Sequence, residues 1–362
     1  NQINKQKYCN FHIELNNLQP KYPKNLKNKI LITGGAGYLG SHSLTSLLEA
    51  SYEPIIVDNF CNSEPWILHQ LELLTEQKIK SYEIDCSNYS DLETVFKNEH
   101  LAGVIHFAAL KSVGDSVNEP LKYYKNNIES LVNIIDLMSK YNVPNLVFSS
   151  SCTVYGQAEE LPIKESHPIK KVESPYGYSK QMCEQIIIDC LKSKKLINAT
   201  ILRYFNPVGA HPSGLIGELP IGKPNNLAPY ITQTAAGIRP SLTIFGKDYK
   251  TIDGTCVRDY IHVMDLAEAH VKSLAKMELN SESFILNIGT GKGSTVLEVI
   301  KAFEKVTKLE LKYDFGPRRA GDIDEIYADS SLAEHTLNWR AKYSLEDAMR
   351  DAWKWQKFLI TQ

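Results

Sequence analysis

The chain has 362 residues, 43% hydrophobic and 23% charged, which is enough for a large core and too long for one ordinary compact unit, so two domains sharing a cleft are expected. A net charge of -2 leaves no basic footprint for nucleic acid, and the longest apolar stretches, such as residues 101–110, are too short or interrupted to cross a bilayer; neither is an expected partner. Seven cysteines without a Cys-x-x-Cys pair argue against a disulfide framework or a zinc site, and a soluble, cytoplasmic protein with no bound metal is expected.

Residues 1–28 are more than half Asn, Gln and Lys and read as a polar, flexible extension without the apolar core of a signal peptide. Lys29 to Thr33 (KILIT) then suits a buried parallel strand ended by glycines. Behind it Gly34, Gly37 and Gly40 form a G-x-x-G-x-x-G loop that opens a helix. In such a loop the first glycine permits the tight turn, the second lets backbone amides approach a pyrophosphate, and the third lets helix and strand pack closely. The next strand, Pro54 to Asp58, ends in an acid at the distance expected of a ribose-binding carboxylate. Asp58 accepts bonds from a 2′-hydroxyl and repels a 2′-phosphate, and residues 59–63 offer no arginine, so NAD is the expected cofactor.

Further strands are expected at Lys80 to Ile84, Gly103 to Phe107, Asn145 to Ser149 and Ala199 to Tyr204, with helical spacing between them. The alternation argues for an α/β fold: a Rossmann-like, doubly wound parallel sheet with right-handed crossovers. Asp85 closes the third strand, as an adenine contact or as a plain cap. Lys111, beyond the fourth, lies on the cofactor side by the switch-point rule. After Asn206-Pro207 the sequence turns rich in Gly and Pro as far as Pro229, which sets the boundary. Residues 29–205 form the expected NAD-binding domain and 206–362 a smaller C-terminal α/β substrate domain, with segments free to cross between them. The later half carries a strand at Phe284 to Ile288 and helical spacing at Met264 to Lys276, Thr295 to Lys305 and Ser344 to Lys357.

Chemistry is placed at Ser174 to Lys180. Tyr176 and Lys180 lie four residues apart at the start of an apolar-periodic segment and share a helix face, where an ammonium favours the phenolate and makes it a usable base. Ser149-Ser150-Ser151 ends a strand and supplies hydroxyls.

With glycine loop, serine cluster and Tyr176-x-x-x-Lys180 in this order, the chain resembles the extended short-chain dehydrogenase/reductase superfamily. The stretches TGGAGYLGSH, DNFCNS, SSSCTVYG, SPYGYSK, LRYFNPVGAHPSG, GTCVRDYIHVMDLA and RRAGD narrow the resemblance to the UDP-glucose 4-epimerase family, from about Lys29 to the C-terminus. The resemblance implies reversible inversion at carbon 4 of UDP-glucose and UDP-galactose through a 4-keto sugar, with tightly bound NAD, in galactose metabolism. It also implies slower turnover of N-acetylated sugars and a homodimer packed through Asn118 to Tyr141 and Tyr176 to Lys194.

On this resemblance Tyr176 is the base, Lys180 tunes it and binds the nicotinamide ribose, and Ser151 bonds the reacting hydroxyl. Tyr38, Leu39, Asn59, Asn62, Ser63 and Cys86 join the cofactor contacts, as do Phe107, Ala108, Ala109, Asn126, Ser149 and Tyr204. Arg258 and Arg319 are the diphosphate ligands, since a guanidinium fork matches phosphate oxygens. Asn206, Asn226, Leu227, Thr243, Phe245 and Asp322 hold the sugar, uracil and its ribose, and Ile326 walls the sugar pocket.

Two rivals are weaker. A nucleotide-sugar 4,6-dehydratase needs an Asp and a Glu soon after the serine, where this chain has Cys152, Thr153 and Val154. A non-catalytic NAD-sensing scaffold loses its catalytic residues, whereas Tyr176, Lys180 and Ser151 are all present.

Overall fold

A computed structural model describes residues 28–362 except 158, 320 and 321. All of the expected N-terminal extension but Asn28 lies outside the described residues. The first half alternates as its hydrophobic pattern requires: β1 (Lys29–Thr33), α1 (Tyr38–Glu49), β2 (Glu53–Asp58), α2 (Trp66–Thr75), β3 (Lys80–Glu83), α3 (Tyr89–Asn98), β4 (Leu101–His106), α4 (Val113–Asn118), α5 (Pro120–Lys140), β5 (Asn145–Ser151), α6 (Pro175–Lys192) and β6 (Asn198–Tyr204). The second half continues with β7 (Asn206–Val208), α7 (Leu227–Ala235), β8 (Leu242–Phe245), β9 (Val257–His262), α8 (Val263–Asn280), β10 (Phe284–Ile288), β11 (Gly293–Thr295), α9 (Val296–Thr307), β12 (Tyr313–Gly316), β13 (Glu325–Ile326), α10 (Ser331–Leu337) and α11 (Leu345–Ile360).

Seven strands form one sheet in the order β10-β6-β5-β4-β1-β2-β3, each parallel to its neighbours. Helices cover both faces, which is why the strands read as nearly continuous apolar runs. The pleat sends Ile30 and Ile32 to one face, with Leu44, Leu47, Leu266 and Leu274 from α1 and α8. Leu31 points to the other face, with Leu92, Leu131, Ile134 and Ile187 from α3, α5 and α6.

Phe284–Ile288 departs from the simplest division of the chain. The sequence assigns it to the smaller domain, yet as β10 it is the edge strand of the large sheet, with Phe284 opposite Thr200 of β6. The run FILNI marks a buried strand in either sheet, and a local pattern carries no information about its partner. The chain therefore crosses back after residue 206, as does α8. What remains of the second half has its own core, where Ile231, Ile244, Ile300, Phe303 and Met349 join α7, β8, α9 and α11. Its sheets are small: β9 pairs with β7, β11 and β13, and β8 with β12. Because β7 starts at Asn206, two residues after β6 ends, the small sheet begins at the carboxyl edge of the large one.

The buried histidines include His42 in α1, His106 ending β4, His211 after β7 and His270 in α8. Burial disfavours their charged form and pushes His42 and His106 down to about 3 and His211 and His270 down to about 4. Below the unfolded value near 6.5 the unfolded chain binds protons that the native one refuses, so this stability is complete above that pH and is lost as the pH falls. At pH 5.5 each histidine costs about 1.4 kcal/mol. The melting temperature is therefore expected to drop by many degrees between pH 7.5 and pH 5.5, and a flat profile over that interval in differential scanning fluorimetry contradicts it.

Candidate active site

β1 and β4 are neighbours in the sheet but not in sequence, so their connections diverge and open a crevice at their carboxyl ends. Gly34 turns the chain there with φ +67°, and a Cβ on it meets the Ala108 nitrogen at 3.0 Å. The glycine loop thus lies against the Phe107-Ala108-Ala109 loop after β4. At Gly40 a Cβ collides with the Gly34 carbonyl oxygen, so only glycine lets α1 start this close to its strand. Gly37 sits at the N-cap of α1 with no side-chain cap and no acid in the first turn, which suits that end to an anion. The cradle fits a dinucleotide pyrophosphate.

Asp58 holds the rim together. Its Oδ2 accepts from the Ala36 amide at 3.0 Å, and its Oδ1 from the Phe60 amide at 2.9 Å and Ser63 Oγ at 2.8 Å. Asn59 donates to Asp85 at 2.9 Å, and Asn62 is exposed beside them. Asp85 lies two residues beyond β3, where it accepts from the Ser87 amide at 2.8 Å and the Ser87 hydroxyl at 2.7 Å. The Cys86 thiol is buried in the core beneath. Tyr38 donates to the Gly209 carbonyl at 2.8 Å, tying the glycine loop to the segment after β7, while Leu39 packs on the core. Lys111 is exposed 3.6 Å from Glu218, and Asn126 donates to Asn127 at 3.0 Å.

On the other side of the crevice β5 runs two residues further than expected, to Ser151, which caps the turn at 152–155 by accepting from the Thr153 amide. Ser174 caps α6, accepting from the Gly177 amide at 3.2 Å with Pro175 in the first turn. Tyr176 is thereby held over the end of β5, its phenol near enough to the Ser151 side chain for that hydroxyl to favour the phenolate. Lys180, 4% exposed, donates to the Ser149 carbonyl at 2.7 Å and stands 4.9 Å from the Phe148 ring centre. Tyr204, opposite Ser151 in register, bonds Ser149 Oγ.

One expectation is corrected here. The helical spacing has Lys180 lowering the Tyr176 pKa, yet burial pushes the phenol up to about 12, with only the Ser151 hydroxyl countering it. Burial also drives Lys180 down to about 8. Its ammonium donates to the Ser149 carbonyl and lies over the Phe148 ring. The shared helical face is as expected; desolvation outweighs the charge in this state.

The substrate side is built on β9. Arg258 donates to the Val257 and Ile323 carbonyls at 2.8 and 3.0 Å and pairs with Asp322 at 2.9 Å. Its register partner on β13 is Ile326, 5% exposed and packed with Cys152, Val154 and Phe205 just behind Ser151. Asn206 lies opposite Tyr260 on the other side of β9. Arg319 is exposed, its guanidinium 4.4 Å from the Phe245 ring centre, and Thr243 shares the outward face of β8 with Phe245. Asn226 is at the N-cap of α7, before Leu227, and donates to Glu218 at 2.5 Å.

Sequence reasoning missed several residues at this centre. Asn127 accepts from the Leu110 amide at 2.8 Å and donates to Ser179 at 3.1 Å, fastening the loop after β4 to α6. Glu218 joins Lys111 to Asn226. Glu184 and Arg203 form a buried ion pair behind the serine strand. The helical spacing from Tyr176 through Lys180 to Glu184 was a usable signal; the others carry none in a single sequence.

A phosphate-cradling glycine loop facing a Ser-Tyr-Lys constellation across a parallel sheet defines an extended short-chain dehydrogenase/reductase. A family model described as GDP-mannose 4,6 dehydratase matches residues 31–352. The UDP-glucose 4-epimerase of Pasteurella multocida is 50% identical over 328 residues, covering 91% of this chain and 97% of that protein. The crystal structure of a UDP-glucose 4-epimerase from Stenotrophomonas maltophila with bound NAD and formylated UDP-arabinopyranose superposes with a TM-score of 0.90 at 43% identity, covering 92% of this chain and 99% of that one. That of the Bifidobacterium longum enzyme in complex with NAD+ and UDP gives 0.88 at 44%, covering 91% and 98%. The chain belongs to the family that this model describes and, within it, to the UDP-glucose 4-epimerases.

Proposed function

We propose that this protein interconverts UDP-glucose and UDP-galactose at carbon 4 through a 4-keto sugar, with NAD in the crevice above β1 and β4, and serves galactose metabolism. The observation that carries this reading is the placement of Ser151, Tyr176 and Lys180 at the end of β5, across the crevice from the Gly34–Gly40 cradle. When bound, NAD supplies a reversible two-electron acceptor for carbon 4. Tyr176 takes the proton of the 4-hydroxyl while Ser151 hydrogen-bonds it, and gives the proton back after the sugar has turned over. An ionised phenol in a buried site needs positive charge beside it, and Lys180, one helical turn along, is the cation in place. A sugar that must turn cannot be clamped, so affinity falls to the nucleotide diphosphate, for which Arg258, Arg319 and Phe245 are the candidates.

The residues after Ser151 disfavour the dehydratase alternative. Burial pushes the Cys152 thiol up to about 12, so it is no acid-base catalyst at neutral pH. The purified protein is expected to convert UDP-galactose into UDP-glucose without added cofactor. Tyr176→Phe should cost several orders of magnitude in kcat while leaving UDP affinity intact by calorimetry. Retention of more than about a tenth of the wild-type rate places the base elsewhere.

The pocket wall at Ile326 bears on N-acetylated sugars. Isoleucine leaves more room than a phenol ring but is stiff at χ1, and it is packed against Cys152 and Val154. An overpacked pocket costs about 1 to 3 kcal/mol, roughly one to two orders of magnitude in rate. Slower turnover of the UDP-N-acetyl pair is therefore expected, and Ile326→Tyr should abolish it while sparing the UDP-hexose reaction. Equal wild-type rates on both pairs would assign the pocket size to another residue.

A second copy of the chain fits the outer face of α5 and α6, where Leu121, Val132, Tyr178 and Met182 are exposed. Light scattering at micromolar concentration should give a dimer mass; a monomer mass contradicts this packing.

A further inference from the structure

Resting on the functional reading above, we propose that Glu184, through its ion pair with Arg203, is the positioning residue that seats α6 on β5 and β6 and so sets the contact between Ser151 and Tyr176. Tyr176, Lys180 and Glu184 follow each other at intervals of four and line one face of α6. That face meets the sheet mostly through apolar groups such as Cys183 and Ile187, whose contacts are non-directional and tolerate sliding or rotation. Glu184 supplies direction. Its carboxylate takes Arg203 Nε at 3.0 and 3.2 Å and Nη2 at 2.6 Å, and it accepts from Ser150 Oγ as well.

Ser150 and Arg203 are register partners on β5 and β6, one rung before Ser151 and Tyr204. Glu184 thus grips the rung next to the one that carries the reacting serine. The other end of the guanidinium continues the hold. Arg203 Nη1 donates to the Tyr155 hydroxyl at 3.0 Å, and Tyr155 donates to Asn287 of β10 at 2.6 Å. Tyr155 closes the turn that Ser151 begins. Helix, serine strand, serine turn and edge strand are therefore referenced to one carboxylate.

Glu184, Arg203 and Tyr155 are 1%, 3% and 1% exposed. Burying two charges this deeply is a poor route to stability, since an apolar pair of similar size is often as stable or more so. What such a pair supplies that an apolar one lacks is a fixed geometry. A misplacement of about 1 Å at a reacting group costs on the order of a hundredfold in rate, so the geometry is where the contribution is expected. Glu184 also favours the charged form of Lys180, so the same carboxylate supports both members of the pair.

The test replaces both charges at once, Glu184→Met with Arg203→Met, so that no charge is left buried alone. The double variant is expected to melt within a few degrees of wild type, to lose at least tenfold in kcat for UDP-galactose, and to keep KM within threefold. Its crystal structure should show the Ser151 to Tyr176 contact lengthened. A folded double variant with wild-type kcat, or with that contact unchanged, overturns the proposal. Should the double variant fail to fold, Glu184→Asp decides, because it keeps both charges and withdraws the carboxylate from Arg203 by one methylene. At least a several-fold loss of kcat with KM little changed is expected of the folded variant, and wild-type kcat overturns the proposal. If the wild-type protein itself does not turn over UDP-galactose, the functional reading fails instead; the crystallographic comparison, which needs no turnover, still decides the role of Glu184.

Discussion

The whole arrangement depends on how closely backbone can approach backbone at the carboxyl ends of the parallel strands. At Gly34 and Gly40 the loop after β1, the start of α1 and the loop after β4 come within the space that a single Cβ would fill. That closeness shapes the crevice, and the strand order decides where it lies. The serine at the end of β5 and the first turn of α6 then face the crevice from the far side.

Within this frame the electrostatics are governed by burial. The phenol of Tyr176, the ammonium of Lys180 and the buried histidines are all shifted toward their neutral forms. Near pH 7 the phenol is thus neutral while Lys180, at about 8, keeps most of its charge, and a charge introduced there is poorly screened. The substrate side differs. Arg258 pairs with Asp322, and Arg319 is exposed over the Phe245 ring.

Much of this was legible in the sequence because it is local. The glycine spacing, the acid ending β2, the cap-and-proline start of α6 and the Tyr176 to Lys180 interval each express a requirement of a few consecutive residues. β1 matches the expected strand at both ends. What the sequence did not yield is long-range. β10 reads as a strand but pairs with β6, about eighty residues back, and no local pattern specifies that partner. Arg203 and Glu184 look like an ordinary strand arginine and helix glutamate until the fold brings them to 2.6 Å. The Tyr176 pKa is misjudged for the same reason: spacing gives the neighbour on the helix, and only packing gives the desolvation.

On the proposed function, the hydrogen removed from carbon 4 in the crevice is the one returned to the opposite face. Running the UDP-galactose reaction in deuterium oxide and reading carbon 4 of the UDP-glucose product by NMR tests it most directly. The account predicts that carbon 4 keeps its original hydrogen, since only the hydroxyl proton handled by Tyr176 exchanges with solvent. Deuterium at carbon 4 would contradict it.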